Sequence, residues 1–163
     1  MEDPIISPSH EIFMEQALKL ARIAFAKGDV PVGAVVVMDN SIIGKGYNQI
    51  EELCDATAHA EMIALSAACS TLNTWRLEHA RIYITIEPCI MCAGAILNSR
   101  IKSVFYGASE ARSGACGSFY DVFSKNPVSA GKMQLTGGIL EDECRTLMQN
   151  FFKKLRLKGE KKK

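Results

Sequence analysis

The sequence predicts an α/β fold, a single mixed five-stranded sheet flanked by helices, and three observations carry that expectation. Short apolar runs rich in valine and isoleucine alternate with longer stretches whose apolar residues recur at helical spacing. Two of the runs, 32–38 and 41–47, are separated only by Asp39 and Asn40, which reads as an antiparallel hairpin. Strand, helix and strand then follow one another over 81–106, which implies a right-handed parallel crossover.

Each element has a local reason. Ser9 is placed to cap a helix starting at His10, and Phe13, Ala17, Leu18, Leu20, Ala21, Ala24 and Phe25 form its apolar stripe until Gly28 ends it. Val32 to Met38 and Ser41 to Tyr47 are the two strands of the hairpin. A buried helix is expected over about Ala58 to Ala68, with Asp55 or Thr57 as its cap, followed by a loop around Asn73 and a strand from Arg81 to Ile86. Pro88 suits the first turn of a helix running through Ile90, Ala93 and Leu97 to about Ser99, where a missing N–H costs nothing. Lys102 to Tyr106 reads as a strand, Gly107 to Ser118 as a loop and Met133 to Thr136 as a short last strand. An amphipathic helix over about 141–157 and a basic tail, 158–163, complete the chain. No repeat or interdomain linker interrupts it, so residues 1–163 are expected to form one domain.

Composition removes several classes of function. With 163 residues, 48% of them hydrophobic, the chain is long enough to close one sizeable core. A net charge of +1 argues against a protein that coats nucleic acid through its overall field, but residues 153–163 concentrate seven basic side chains against one glutamate. No window is apolar enough to span a membrane, and the N-terminus has no basic region followed by an apolar core. A soluble cytoplasmic protein is the expectation, in which the six cysteines serve as buried thiols or metal ligands rather than disulfides.

Two motifs carry chemistry. In P-C-I-M-C, Cys89 and Cys92 stand three residues apart at a helix start, so their sulfurs share one face, and the helix dipole favours thiolates there. C-x-x-C alone also fits a redox pair, and a zinc ribbon would need a second pair that the chain lacks. His59 is the third donor, in the run TAHAE at 57–61. Three protein ligands rather than four is the count of a catalytic zinc that keeps a position for water, and Glu61 is then a carboxylate able to carry protons beside it. Residues i and i+2 lie about 200° apart on a helix, so His59 and Glu61 converge only if both sit at the helix mouth.

H-A-E at 59–61 with P-C-I-M-C at 88–92 is similar to the H-x-E and P-C-x-x-C signature of zinc-dependent nucleobase deaminases. Further stretches resemble the bacterial tRNA-specific adenosine deaminases of the TadA type: VPVGAV at 30–35, GYN at 46–48, EPCIMCAGAI at 87–96, SRI at 99–101, SGACGS at 113–118 and ILEDECRTLMQNFFKKLR near the C-terminus. The resemblance covers almost the entire chain. It implies a cytidine-deaminase-like three-layer α/β/α fold, one Zn2+ per subunit held by His59, Cys89 and Cys92, and hydrolytic conversion of adenosine to inosine at the wobble position of a tRNA anticodon. It implies Glu61 as proton carrier, a homodimer whose site takes contributions from both subunits, and the anticodon stem-loop as partner. Catalytic motifs alone leave a free base or nucleotide such as guanine, cytosine or dCMP as the alternative substrate.

By the same resemblance Asn48 hydrogen-bonds the flipped nucleoside, Val30, Pro31 and Val32 wall the base, and Ala60 and Pro88 complete the substrate site; a turn residue after the second strand is the competing reading of Asn48. Glu110, Arg112, Lys153, Lys154 and Arg156 are candidate RNA contacts, competing with a role as ordinary surface charges. Phe151 and Phe152 are candidate RNA contacts as well; about 100° apart on a helix, one of the two is expected to pack inward and Phe152 to stack on a base. Family members commonly carry aspartate where this chain has Glu110 and proline where it has Ile50, and Glu51, Glu52 and Leu53 form an unfamiliar loop.

Overall fold

Alternation along three of the central strands decides how the layers stack. In β1 (Gly33–Met38), Ala34 and Val36 face one side and Val35 and Val37 the other. In β3 (Arg81–Ile86) and β4 (Ser103–Ala108), Ile82, Ile84 and Val104 join the first set and Tyr83 and Phe105 the second. Both faces of the sheet are therefore apolar and both must be covered. The structure is a computed structural model that describes residues 8–124 and 133–160. On one face lie α3 (Ala60–Leu72) and α4 (Ile90–Asn98); on the other lie α1 (Pro8–Ala26) and α5 (Glu141–Glu160). This is the expected three-layer α/β/α arrangement.

The five strands, completed by β2 (Ser41–Tyr47) and β5 (Gln134–Thr136), are ordered β2-β1-β3-β4-β5. β1 pairs antiparallel with β2 and β3, whereas β3–β4 and β4–β5 are parallel, so the sheet is mixed. The hairpin turns at Asp39 (φ 49°) and Asn40 (φ 58°), both left-handed, as a two-residue turn that matches strand twist requires. One consequence positions everything that follows: β2, β3 and β4 all end, and β1 begins, at the same edge of the sheet.

The boundaries differ from expectation where side chains or register intervene. α1 starts at Pro8, ahead of His10; the Ser9 side chain lies outside the described residues, as do 161–163 of the basic tail. α3 begins at Ala60, with neither Asp55 nor Thr57 as its cap: Asp55 Oδ1 instead accepts the backbone N–H (2.8 Å) and hydroxyl (2.7 Å) of Thr57, closing a turn before the helix. Pro88 precedes α4 rather than entering its first turn. Cys89 is extended (φ −74°, ψ 173°) because it bridges to Gly114, while the Pro88 carbonyl accepts Ala115 N–H at 2.8 Å. The unfamiliar loop is a single helical turn, α2 (Ile50–Leu53), tied at its start by Asp29 Oδ2, which accepts Glu51 N–H at 2.9 Å.

β2 approaches α3 closely enough that Gly44 and Gly46 lie directly under its backbone: a Cβ at position 46 would overlap the Ala60 carbonyl oxygen, and one at 44 that of Ala64. Glycine is the spacing element here, and the helix start that carries the functional residues rests on it. Gly46→Ala is expected to lower unfolding free energy by about 2–3 kcal/mol, measured by denaturant titration, because neither neighbouring backbone can yield cheaply.

Candidate active site

The common edge of the sheet gathers four chain segments: Val30 to Val32 before β1, Asn48 after β2, Glu87 to Cys89 after β3 and Glu110 after β4. Two helix starts close over them. His59 is the N-cap of α3 and Cys89 the N-cap of α4, both with extended backbone, so each side chain leaves its helix at the mouth. Glu61 then falls in the first turn of α3, which is how residues two apart come to face one centre.

The His59 Nδ1 atom lies 3.7 Å from Cys89 Sγ and 3.6 Å from Cys92 Sγ, and all three donor atoms lie within 4.8 Å of one another. The edge between nitrogen and sulfur in a tetrahedral zinc site, from bond lengths of about 2.0–2.1 and 2.3 Å, is about 3.6 Å. Both nitrogen-to-sulfur separations therefore already match those around a shared metal ion. Cys89, hydrogen-bonded by Cys92 and by the His59 ring, is held down at about 4, while Cys92, sharing that proton and buried, is pushed up. Hydrogen bonds from Cys92 and the His59 ring thus favour at Cys89 the thiolate that a metal ion requires.

Glu61 is 2% exposed, and its Oε2 has no hydrogen-bond partner. Burial pushes its carboxyl up to about 7. An orphaned oxygen beside three metal donors is a polar atom waiting for a partner that the protein does not supply. Asn48 is also buried, and its Oδ1 accepts the Ala60 N–H at 2.8 Å. Asn48 is thus the outside cap of α3, which neither reading of the sequence anticipated; it orients the amide with its oxygen on the helix and its NH2 group free of that bond.

A cavity of about 210 Å³ opens at this point, lined by Val30, Val32, Asn48, His59, Glu61 and Cys89 among the residues expected there, and by Ile50, Ile86, Glu87, Ser113 and Met148, which were not. Pro31, Ala60 and Pro88 are buried and do not line it. Glu110 and Phe152 stand at the cavity's edge and also border a wider groove of about 610 Å³ with Arg112, Gln149 and Arg156. Phe151 is corrected as an RNA contact: it is buried edge-on against Phe25, ring centroids 5.6 Å apart, leaving Phe152 as the exposed aromatic of the pair. Lys153 and Lys154 are exposed outside the groove, the latter over the Phe25 ring.

Of the missed residues, Met148 was legible in principle, standing one helical turn before Phe152 on the same face. Glu87, a carboxylate immediately after a core strand, was a signal of the same kind.

Residues 8–156 match the family model of the MafB19-like deaminases. A tRNA-specific adenosine deaminase of Bacillus subtilis (strain 168) is 40% identical over 148 residues, 91% of each chain. A solved structure from work on A-to-I editing by tRNA:A34 deaminases at the wobble position of transfer RNA superposes with a TM-score of 0.79 at 40% identity, covering 83% of this chain and 98% of that one. The guanine deaminase of Nitrosomonas europaea superposes with a TM-score of 0.73 at 27% identity, over 89% and 84% of the two chains.

The geometry makes a metal prediction. Titration of metal-free protein with Zn2+ is expected to saturate at one ion per chain, and His59→Ala or Cys89→Ser to weaken binding at least about a hundredfold, read by competition with a chromogenic chelator.

Proposed function

The chain belongs to the MafB19-like deaminase family, and from that membership and the geometry of its site we propose that it is a zinc-dependent hydrolase converting adenosine to inosine at the wobble position of a tRNA anticodon. The observation that carries the proposal is the unpartnered Glu61 carboxylate beside the His59, Cys89 and Cys92 donors, at the floor of a cavity of about 210 Å³.

His59, Cys89 and Cys92 would hold the zinc, whose Lewis acidity lowers the pKa of a coordinating water into the neutral range. The protein's own residues do the rest. Glu61, buried beside the donors with an oxygen that no protein group occupies, is placed to accept a proton. It takes that proton from the attacking water, gives it to adenine N1, and delivers a second to the departing ammonia, so adenosine and water become inosine and ammonia. Asn48 donates its amide NH2 to the flipped nucleoside while its oxygen stays on α3. Val30 and Val32, with Ile50 and Ile86, pack against the base and exclude water.

The groove beyond the cavity supports an RNA substrate. Phe152 offers an exposed ring to a neighbouring base, and Arg112 and Arg156 offer guanidinium groups to phosphates. Bases of an anticodon loop are unstacked cheaply, which suits a cavity that must receive one nucleotide and leave its neighbours outside. Deamination of a free base is the second reading, favoured by the likeness to a guanine deaminase. We place the protein in the cytoplasm, in keeping with six free thiols, and infer a homodimer, for which the exposed Leu53, Ile90 and Phe119 supply apolar surface.

Zinc-loaded protein incubated with an anticodon stem-loop carrying a wobble adenosine should form inosine; turnover of free guanine far above that on RNA would select the second reading instead. Glu61→Ala should lower turnover on the order of 10³-fold with zinc content unchanged, because a proton carrier is not a ligand. Asn48→Asp keeps the oxygen that caps α3 but loses the donor, so KM for the stem-loop should rise about tenfold while the thermal midpoint stays within a few degrees.

A further inference from the structure

Two buried carboxylates line the cavity, and their hydrogen bonding is opposite. Glu61 has an oxygen with no partner. Glu87, 2% exposed, has both oxygens occupied by backbone amides: Oε2 accepts Glu110 N–H at 3.0 Å, and Oε1 accepts Cys116 N–H at 2.8 Å and Ser118 N–H at 3.1 Å. A carboxylate so engaged is no proton carrier. Its three partners come from the two ends of the loop that follows β4, and that loop supplies Glu110 and Ser113 to the cavity wall.

The middle of the same loop is held differently, by the Cys89–Gly114 bridge and the Ala115 N–H donating to Pro88 at 2.8 Å. Gly114 lies against the carboxylate itself, since a Cβ there would come within 2.5 Å of Glu87 Cδ and Oε2. Backbone pairing thus anchors the centre and Glu87 draws in both ends. Removing the carboxylate would leave three amide donors in a half-buried loop without acceptors.

We propose that Glu87 is a positioning residue that locks the 110–118 loop to the segment carrying Cys89, and so sets the wall-to-metal distance at which a target base is received. Its hydrogen bonds go to the loop amides and not to His59, Cys89 or Cys92. It acts by making the substrate wall and the ligand segment one rigid unit. The proposal rests on the reading of this cavity as the base-binding site.

Glu87→Gln preserves shape but turns one oxygen into a donor facing another donor. Hydrogen exchange followed by NMR should show those of the Glu110, Cys116 and Ser118 amides that face the new NH2 group exchanging at least about tenfold faster, the factor expected from losing one such bond. With the anticodon stem-loop, KM should rise about tenfold while kcat stays within about threefold and zinc content is unchanged. Glu87→Asp, whose shorter side chain reaches fewer amides, should fall between, and Gly114→Ala should reproduce the KM effect with Glu87 intact; these two carry the test if Glu87→Gln does not fold. Unchanged exchange at the three amides, or a fall in kcat with KM unmoved, overturns the proposal. If the unaltered protein makes no inosine, the assigned reaction fails, and the exchange measurement still decides whether Glu87 holds the loop.

Discussion

The contact between the His59 ring and the two cysteine sulfurs joins residues 30 and 33 positions apart in the chain, and the rest of the architecture serves it. Both sides of the contact are helix starts, where unpaired N–H groups and the helix dipole present positive potential. Two such ends pointing at one spot would repel if nothing negative lay between them. The Cys89 sulfur, held toward the thiolate form, supplies that charge, and His59, drawn above its ordinary value chiefly by its hydrogen bond to Cys89, completes a donor set whose protons a divalent cation can displace. The parallel course of β2, β3 and β4 is what brings the segments entering both helices to one edge.

From this arrangement follows the division of labour between the two buried carboxylates. Burying a carboxylate is costly unless its oxygens are satisfied, and Glu87 meets that condition with three amides. Glu61 does not, and its carboxyl is correspondingly raised toward neutral pH. A group that exchanges protons has to be left incompletely satisfied, whereas a group that braces a wall must not be. Two glutamates of similar burial thereby take opposite parts, and the difference lies in which backbone amides the fold aims at each.

Most of this was legible in the sequence where period and spacing are local properties. The strands 41–47 and 81–86 stand where alternation and β-branched residues put them, and the His59, Cys89 and Cys92 cluster follows from ligand type and spacing. What escaped depends on contacts between distant segments. The α3 start was misplaced because its cap, Asn48, lies twelve residues earlier on another strand's end, and no local pattern announces a cap supplied from outside. Pro88 missed its helical turn because the bridge from Cys89 to Gly114 keeps that stretch extended. Helix α2 was hidden because its start depends on Asp29, again far away in the chain. Glu87 is visible as a carboxylate directly after a core strand, but its partners are main-chain groups, so what it holds carries no sequence signature.

The shape of the opening bears on what the cavity is for. A free base would need only the inner space of about 210 Å³, and a protein evolved for it gains by enclosing that space. Here the inner cavity instead shares Glu110, Ser113, Met148 and Phe152 with a groove of about 610 Å³ that runs to Arg112 and Arg156. An exposed phenylalanine ring beside two guanidinium groups has no partner on a small neutral base, but it matches the alternation of base and phosphate along a single strand. Because the 110–118 loop borders both spaces, the placement of the reacting base and the grip on its neighbours are set by one element. Substrate length and reaction geometry are therefore coupled through the loop that Glu87 holds.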